Sequence, residues 1–191
     1  MRPATGAARV AAEGEDSQGW PSYLRAIMDY VRKPERIVVG LLSGTSADGV
    51  SAVLARIGGE GAGTKAEVLA CACFPYPAPL NARIVDLFSR DTATIDRVAQ
   101  GDNEIGRAFA GAAHGIVARA GMTMREVDLI GSAGQVTYQV IEGQREEHRW
   151  LGDRASTAFL MLGSGAFIAE LTGVTTVSNI HRRDLAAGGI G

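Results

Sequence analysis

A short run of hydroxyls, glycines and one carboxylate, Ser43-Gly44-Thr45-Ser46-Ala47-Asp48-Gly49, follows the apolar residues 37–42 and precedes a second apolar run, 50–57. Backbone N–H groups in such a turn can converge on an anion, and glycine lets the backbone come close to it. The hydroxyls of Ser43, Thr45 and Ser46 add donors. Asp48 can orient a hydrated magnesium ion, which usually takes one or two carboxylates plus phosphate oxygens. The pattern fits a phosphate-gripping hairpin. It also fits a plain hairpin turn whose hydroxyls and Asp48 satisfy local N–H groups. It is not a Walker motif, because Gly-Lys-Ser/Thr is missing, nor a dinucleotide fingerprint, because a strand follows rather than a helix. Two later stretches place polar side chains beside glycines. In Ser132-Ala133-Gly134-Gln135 the glutamine would either bond a sugar hydroxyl or lie at the surface. In Arg182-Arg183-Asp184 an arginine would hold a carboxylate or phosphate bidentately, or the pair is a solvated basic surface with Asp184 neutralising a neighbour.

The remaining titratable groups give less. His181 has no visible carboxylate partner, His114 falls in a predicted helix, and His148 in a charged loop. No cluster has zinc-ligand spacing, and no carboxylate pair points to a glycosidase. Cys71 and Cys73 stand two apart in an apolar run, on one side of one strand. Such neighbours are poorly placed to bridge, so a reducing, cytoplasmic setting is expected.

These candidates need a frame. The 191 residues can bury one good core, and apolar residues at 46% are ordinary for a globular chain. Aromatics are only 6%, so that core must rest on Val, Ile, Leu and Ala. A net charge of -2 gives no overall pull toward nucleic acid or a membrane surface. No apolar run approaches the roughly 20 residues of a spanning helix. Residues 1–36 read as a flexible leader (1–18) plus a short amphipathic helix over 20–31, stopped by Pro34. Strands are expected at 37–42, 50–57 and 68–74, an antiparallel meander with a glycine-rich turn at 58–63. Helices follow over 80–88 and 103–120, the second with Ile105, Phe109, Ala112, Ala113, Ile116 and Val117 on its apolar side and Gly121 as terminator. A strand over 126–131 then enters a turn at 132–135. A polar surface loop is expected at 144–148. A helical pattern at 160–171 is broken by a turn at 163–165, and a last strand spans 174–178. Strands mixed with helices in this order give an α/β domain. The chain stops on glycines just after that strand, so it is expected to be interrupted, with a core face left uncovered.

Four motifs carry a family resemblance. Leu42-Ser43-Gly44-Thr45-Ser46-Ala47-Asp48-Gly49, Ile130-Gly131-Ser132-Ala133-Gly134-Gln135, Leu162-Gly163-Ser164 with Ile168-Ala169-Glu170-Leu171-Thr172-Gly173, and Thr176 onward through Asn179-Ile180-His181-Arg182-Arg183-Asp184 to Gly188-Gly189-Ile190-Gly191 resemble, in order and spacing, the signatures of the anhydro-N-acetylmuramic acid kinases. The resemblance covers 37–191. It implies a ribonuclease-H-like, actin-like ATPase domain, a mixed sheet with helices, truncated relative to the two-domain family. It implies ATP and Mg2+ as cofactors. It also implies a reaction that cleaves the 1,6-anhydro bond with water and phosphorylates the 6-oxygen, in peptidoglycan recycling. By this resemblance Ser43, Gly44, Thr45, Ser46, Asp48 and Gly49 bind phosphate, with Asp48 toward metal, while Gln135, Arg182 and Asp184 hold the sugar. The water-activating aspartate and the second domain are expected beyond Gly191. Partners expected are the sugar and ATP, with a homodimer or a complementing C-terminal chain.

Several positions depart from the family pattern. Ser51 stands where Asp is usual, Ala133 for His, Met161-Leu162-Gly163-Ser164 for Gln-Ile-Gly-Asp or Asn, Asn179-Ile180-His181 for Asp-Phe-Arg, and Ile190 for Gln. These changes remove charges and hydrogen-bonding groups from the expected sugar and phosphate region. The alternatives are a non-catalytic binding or regulatory remnant and an inactive gene fragment.

Overall fold

The computed structural model describes residues 28–140 and 157–191. The expected leader, most of the first helix and the polar loop at 144–148 lie outside them. Of that helix, residues 28–32 are helical, and the helix ends before Pro34. By contacts the chain separates between Lys33 and Pro34, and all that follows concerns Pro34–Gly191.

β-branched and aliphatic residues build the first strands: β1 (Glu35–Ser43), β2 (Gly49–Gly58) and β3 (Lys65–Pro75), an antiparallel meander as expected. The β2–β3 turn contains a single 3-10 turn, Gly61–Gly63. Helix α1 (Ala78–Asp86) and the long helix α2 (Ile95–Arg119) follow. Then come β4 (Leu129–Val140), β5 (Ala158–Leu162), α3 (Gly165–Thr172), β6 (Thr176–Ser178) and α4 (Ile180–Ala186). β1, β4 and β6 are parallel, whereas β5 runs antiparallel to the second half of β4. The order is β3-β2-β1-β4-β5, with β6 beside the first half of β4. The result is the mixed α/β sheet that the motifs led us to expect.

The core lies between this sheet and α2. The predicted apolar side of α2, Ile105, Phe109, Ala112, Ala113, Ile116 and Val117, is buried against Val39, Leu41, Val50, Leu54 and Ile130. Gly121 ends the helix with φ +71. The Gly121 N–H donates to the Ala118 carbonyl and the Met122 N–H to that of Val117, the paired bonds of a Schellman cap. Among the described residues no helix is long and apolar enough to cross a membrane.

Four expectations need correction. Helix α2 starts eight residues before 103: its first turns are solvated, with Ile95 exposed, so the apolar period is silent there. Gly101 lies within it, packed close to Leu87 Cδ1. Residues 132–135 are not a turn but the middle of β4, since Gly134 serves a bulge rather than a reversal. Residues 160–162 belong to β5, not to a helix, because they pair with β4. The strand expected over 126–131 starts only at Leu129, because Met124–Glu126 form a 3-10 turn, whereas Arg182, Arg183 and Asp184 do follow β6 and precede the last glycines, within helix α4.

Among the described residues the opposite face of the sheet is left open, with only Ile180 of α4 reaching it from a helix. Val38, Gly40, Leu42, Val53, Ala133 and Ile180 help line a broad, open, largely apolar groove there, about 740 Å³ in volume.

Gly134 tests the β4 reading. Its φ is +84, and a Cβ there would lie 2.8 Å from the Leu162 carbonyl oxygen. Gly134→Ala is expected to destabilise the domain by about 1–3 kcal/mol, through left-handed strain plus the clash. Urea unfolding checks this; an unchanged midpoint would contradict the bulge geometry.

Candidate functional site

Register decides what meets at the end of β1. Val39 pairs with Ile130 and Leu41 with Ser132, but Leu42 pairs with Gly134 and Ser43 with Gln135. One extra residue, Ala133, is therefore absorbed in β4. Side chains alternate along a strand, so a bulge switches the face of everything after it. Gln135 consequently returns to the core face beside Ser43, although a regular strand would have sent it to the open groove.

Gln135 is fully buried there, and Ser43 is 1% exposed. All hydrogen-bonding positions of the Gln135 amide are used. Its Nε2 donates to the Gly44 and Val136 carbonyls, both at 2.9 Å. Its Oε1 accepts from Ser43 Oγ at 2.5 Å and lies 3.5 Å from Tyr76 Oη, which donates. Ser43 Oγ also lies 2.7 Å from the Gly49 carbonyl, so its one proton serves two acceptors across the base of the loop. Loop 44–48 is thus clamped from below.

Two further contacts hold its far side. Ala47 is fully buried at φ +51, a left-handed conformation rare for alanine. Its N–H donates to the Gly44 carbonyl, and its own carbonyl accepts from Asn81 Nδ2 at 2.6 Å. The Tyr76 N–H donates to the Asp48 carbonyl. At Gly49 a Cβ would sit 2.5 Å from the Phe74 carbonyl oxygen, so the loop closes on β3 without room for a side chain.

What remains outward is the candidate chemistry. Gly44, Thr45, Ser46 and Asp48 are exposed. Among the described residues the Thr45 and Ser46 hydroxyls and the Asp48 carboxylate make no hydrogen bond. They are oxygen ligands and donors presented from a rigid base, the arrangement an anion with its counter-ion requires. The surface alternative for Gln135 is corrected: it is buried, and its polar atoms hold the loop. Ser43 shares that positioning role, as do Tyr76 and Asn81, which sequence reasoning missed. Burial pushes the Tyr76 phenol up to about 12, against the opposing hydrogen bond from Ser43.

The other motifs gather at the same sheet edge. Leu41, Ser132 and Ser178 form one row across β1, β4 and β6. The end of β6 is therefore two strand spacings, about 10 Å, from that of β1. Both lie at the carboxyl end of parallel strands, where α/β proteins place ligands. Arg182, Arg183 and Asp184 are exposed on α4. Asp184 Oδ2 accepts from the Gly191 N–H and its carbonyl from the Gly189 N–H, so it fastens the last glycines. His181 packs edge-on against Phe159, with both ring nitrogens buried and unpaired among the described residues. Burial and then Arg182 push its pKa below the ordinary value. His114 instead bonds the Leu171 carbonyl, joining α2 to α3. The third motif's turn hangs on α2: Asp102 Oδ1 accepts from the Gly163 N–H at 2.8 Å and the Asp102 carbonyl from the Ser164 N–H at 3.1 Å.

A clamped hydroxyl loop and a second polar element lie together at the carboxyl edge of one mixed sheet, in a domain of the α/β class. The comparisons name the family. The family model described as anhydro-N-acetylmuramic acid kinase matches residues 36–191, and the chain belongs to that family. Curated proteins of that name from Caldanaerobacter subterraneus subsp. tengcongensis and Trichormus variabilis are each 40% identical to it, over 159 and 154 residues. These alignments cover 83% and 81% of this chain but 39% and 37% of the relatives. A third from Xylella fastidiosa is 37% identical over 159 residues, 83% of this chain and 39% of its own. The chain thus spans about two-fifths of the length of the curated relatives it matches. Among solved structures, one of CasPhi-2 (Cas12j) bound to crRNA and phosphorothioate-DNA is 12% identical at TM-score 0.21, covering 87% of this chain and 26% of that one, and carries no argument.

Two substitutions test the clamp. Gln135→Leu removes the bonds to the Gly44 and Val136 carbonyls, to Ser43 and to Tyr76, and should cost about 3 kcal/mol in urea unfolding. Tyr76 adds a pH signature. Between pH 10 and 12 the unfolded phenol has lost its proton and the folded one keeps it. The folded state then binds more protons, so stability falls as pH rises, by at most about 1.4 kcal/mol per unit. Tyr76→Phe should flatten that slope, and an unchanged slope would rule out Tyr76 as its source.

Proposed function

We propose that the chain supplies the phosphate-gripping part, and some of the sugar-holding part, of an ATP-dependent kinase. That kinase would open the 1,6-anhydro bond of anhydro-N-acetylmuramic acid with water and phosphorylate the 6-oxygen. Family membership supports the reaction class. The observation that carries the residue assignment is the Gln135–Ser43 clamp, which aims the free oxygens of loop 44–48 outward.

In this reading the exposed backbone of Gly44 and the Thr45 and Ser46 hydroxyls donate to phosphate oxygens. Phosphoryl transfer needs positioning and charge stabilisation more than covalent help, and a loop anchored at Ser43, Ala47 and Gly49 delivers donors without reorganising. Magnesium fits the donor set: Asp48 offers an exposed carboxylate with two hydroxyls close in sequence, all hard oxygen ligands. Bound there, the ion would neutralise charge on the transferring group. Arg182 would pair with an anionic group of the substrate. Asp184 and Gln135 would serve the sugar side, with Gln135 acting through the loop it holds. Turnover would need the polypeptide that makes up the rest of the relatives' length, in the same chain or supplied in trans, and the uncovered sheet face gives such a segment a place to pack. A soluble, cytoplasmic setting goes with this reading.

A second reading, a binding remnant without catalysis, is favoured by Ser51, Ala133 and Ser164. They put uncharged groups where the family usually carries His or carboxylates.

Calorimetry with ATP tests the first reading. Micromolar binding that requires magnesium is expected, with Asp48→Asn losing the magnesium dependence while the fold, checked by circular dichroism, persists. No binding by the folded chain would sink the proposal.

A further inference from the structure

Cys71 and Cys73 are both free, both exposed and both on β3, the last strand at one end of the sheet. They pair with Val53 and Ser51 of β2 and, two residues apart, point to the same side, into the open groove. Their Cα atoms are therefore about 6.6 Å apart. That is near the upper limit for a disulfide, and their parallel Cβ directions oppose one, so the pair stays a dithiol. The groove around them is nearly without charge, and Ser51 is the polar neighbour in register.

From this geometry we infer that Cys71 and Cys73 form a two-thiolate site for a soft monovalent cation of the Cu(I) class. Ligand number decides the ion. Zinc takes four ligands in a structural site, and among the described residues no cluster of three or more His, Cys, Asp or Glu exists. Thiolate softness selects Cu(I) among ions content with two sulfurs. Binding forms two S–Cu bonds and releases two thiol protons to solvent, with no change of oxidation state. The apolar groove walls one side of the site, while the exposed strand edge leaves an entry path. The inference is independent of the kinase reading, since loop 44–48 supplies none of the ligands.

The test is anaerobic competition for Cu(I) alone against a chromophoric Cu(I) chelator. One equivalent per chain is expected. Cys71→Ser and Cys73→Ser should each weaken binding about 10²–10⁴-fold, the value of a linked second contact. X-ray absorption of the wild-type complex should show two sulfur neighbours, a readout that does not depend on the variants folding. Failure to compete, wild-type affinity in either variant, equal preference for zinc, or half an equivalent bridging two chains would each overturn the inference.

Discussion

One inserted residue governs the site. In a parallel pair the side chains of β1 and β4 face the same way only while the register holds, and the register slips by one at Ala133. Val39, Leu41 and Ser43 thereby meet Ile130, Ser132 and Gln135, three partners that do not share a regular period of two. If β4 ran on unbroken, Gln135 would face the groove, and the loop after β1 would rest on nothing polar. A buried glutamine is costly unless every donor and acceptor is matched. Here the matching groups are those of the loop, so the penalty for misplacing the loop is the penalty for stranding the amide. Ala47 can keep its left-handed backbone because contacts at Gly44 and Asn81 over-determine it.

Among the described residues one side of the sheet is left open as a groove. Parallel strands usually carry helices on both faces. In this domain α2 covers one face, while the row Cys71, Val53, Gly40, Gly131 and Val177 crosses the other. Two glycines stand side by side in that row, and a Cβ on Gly40 would meet Val53 Cγ1 at 2.9 Å. The floor of the groove is therefore backbone, walled by valines and by Ile180. A surface of that shape admits close approach by an apolar ridge.

Much of the frame was legible because burial imposes period on sequence. The meander and the buried face of α2 follow from alternation and 3.6-residue spacing, and the cap at Gly121 from glycine's tolerance of positive φ. Loop 44–48 was legible as a loop, since hydroxyls and glycines between two apolar runs mark a turn. Two misreadings sit beside glycines. At Gly134 the composition says turn, yet it serves a bulge within β4, while Gly163 does break the chain as expected, at φ +115, but the residues before it form a strand rather than a helix. The solvated start of α2 and the roles of Tyr76, Asn81 and Asp102 were not legible at all. Solvation leaves no apolar period at the first, and the three side chains act on groups far away in sequence, which no local pattern encodes.

The positions that depart from the family pattern divide by what they touch. Ser164 stands at the N-cap of α3, a place suited to serine, but its turn is held by Asp102 through backbone N–H groups. Asn179 takes the left-handed backbone at φ +57, which asparagine tolerates better than most residues. Ala133 is the bulged residue, where a small side chain suffices, and Ser51 faces solvent. Burial and then Arg182 push the His181 pKa down. None of these side chains enters the bonds among Ser43, Gln135, Tyr76 and loop 44–48. The frame that aims the loop and the groups that would act on a substrate therefore rest on separate residues, and one can persist while the other changes.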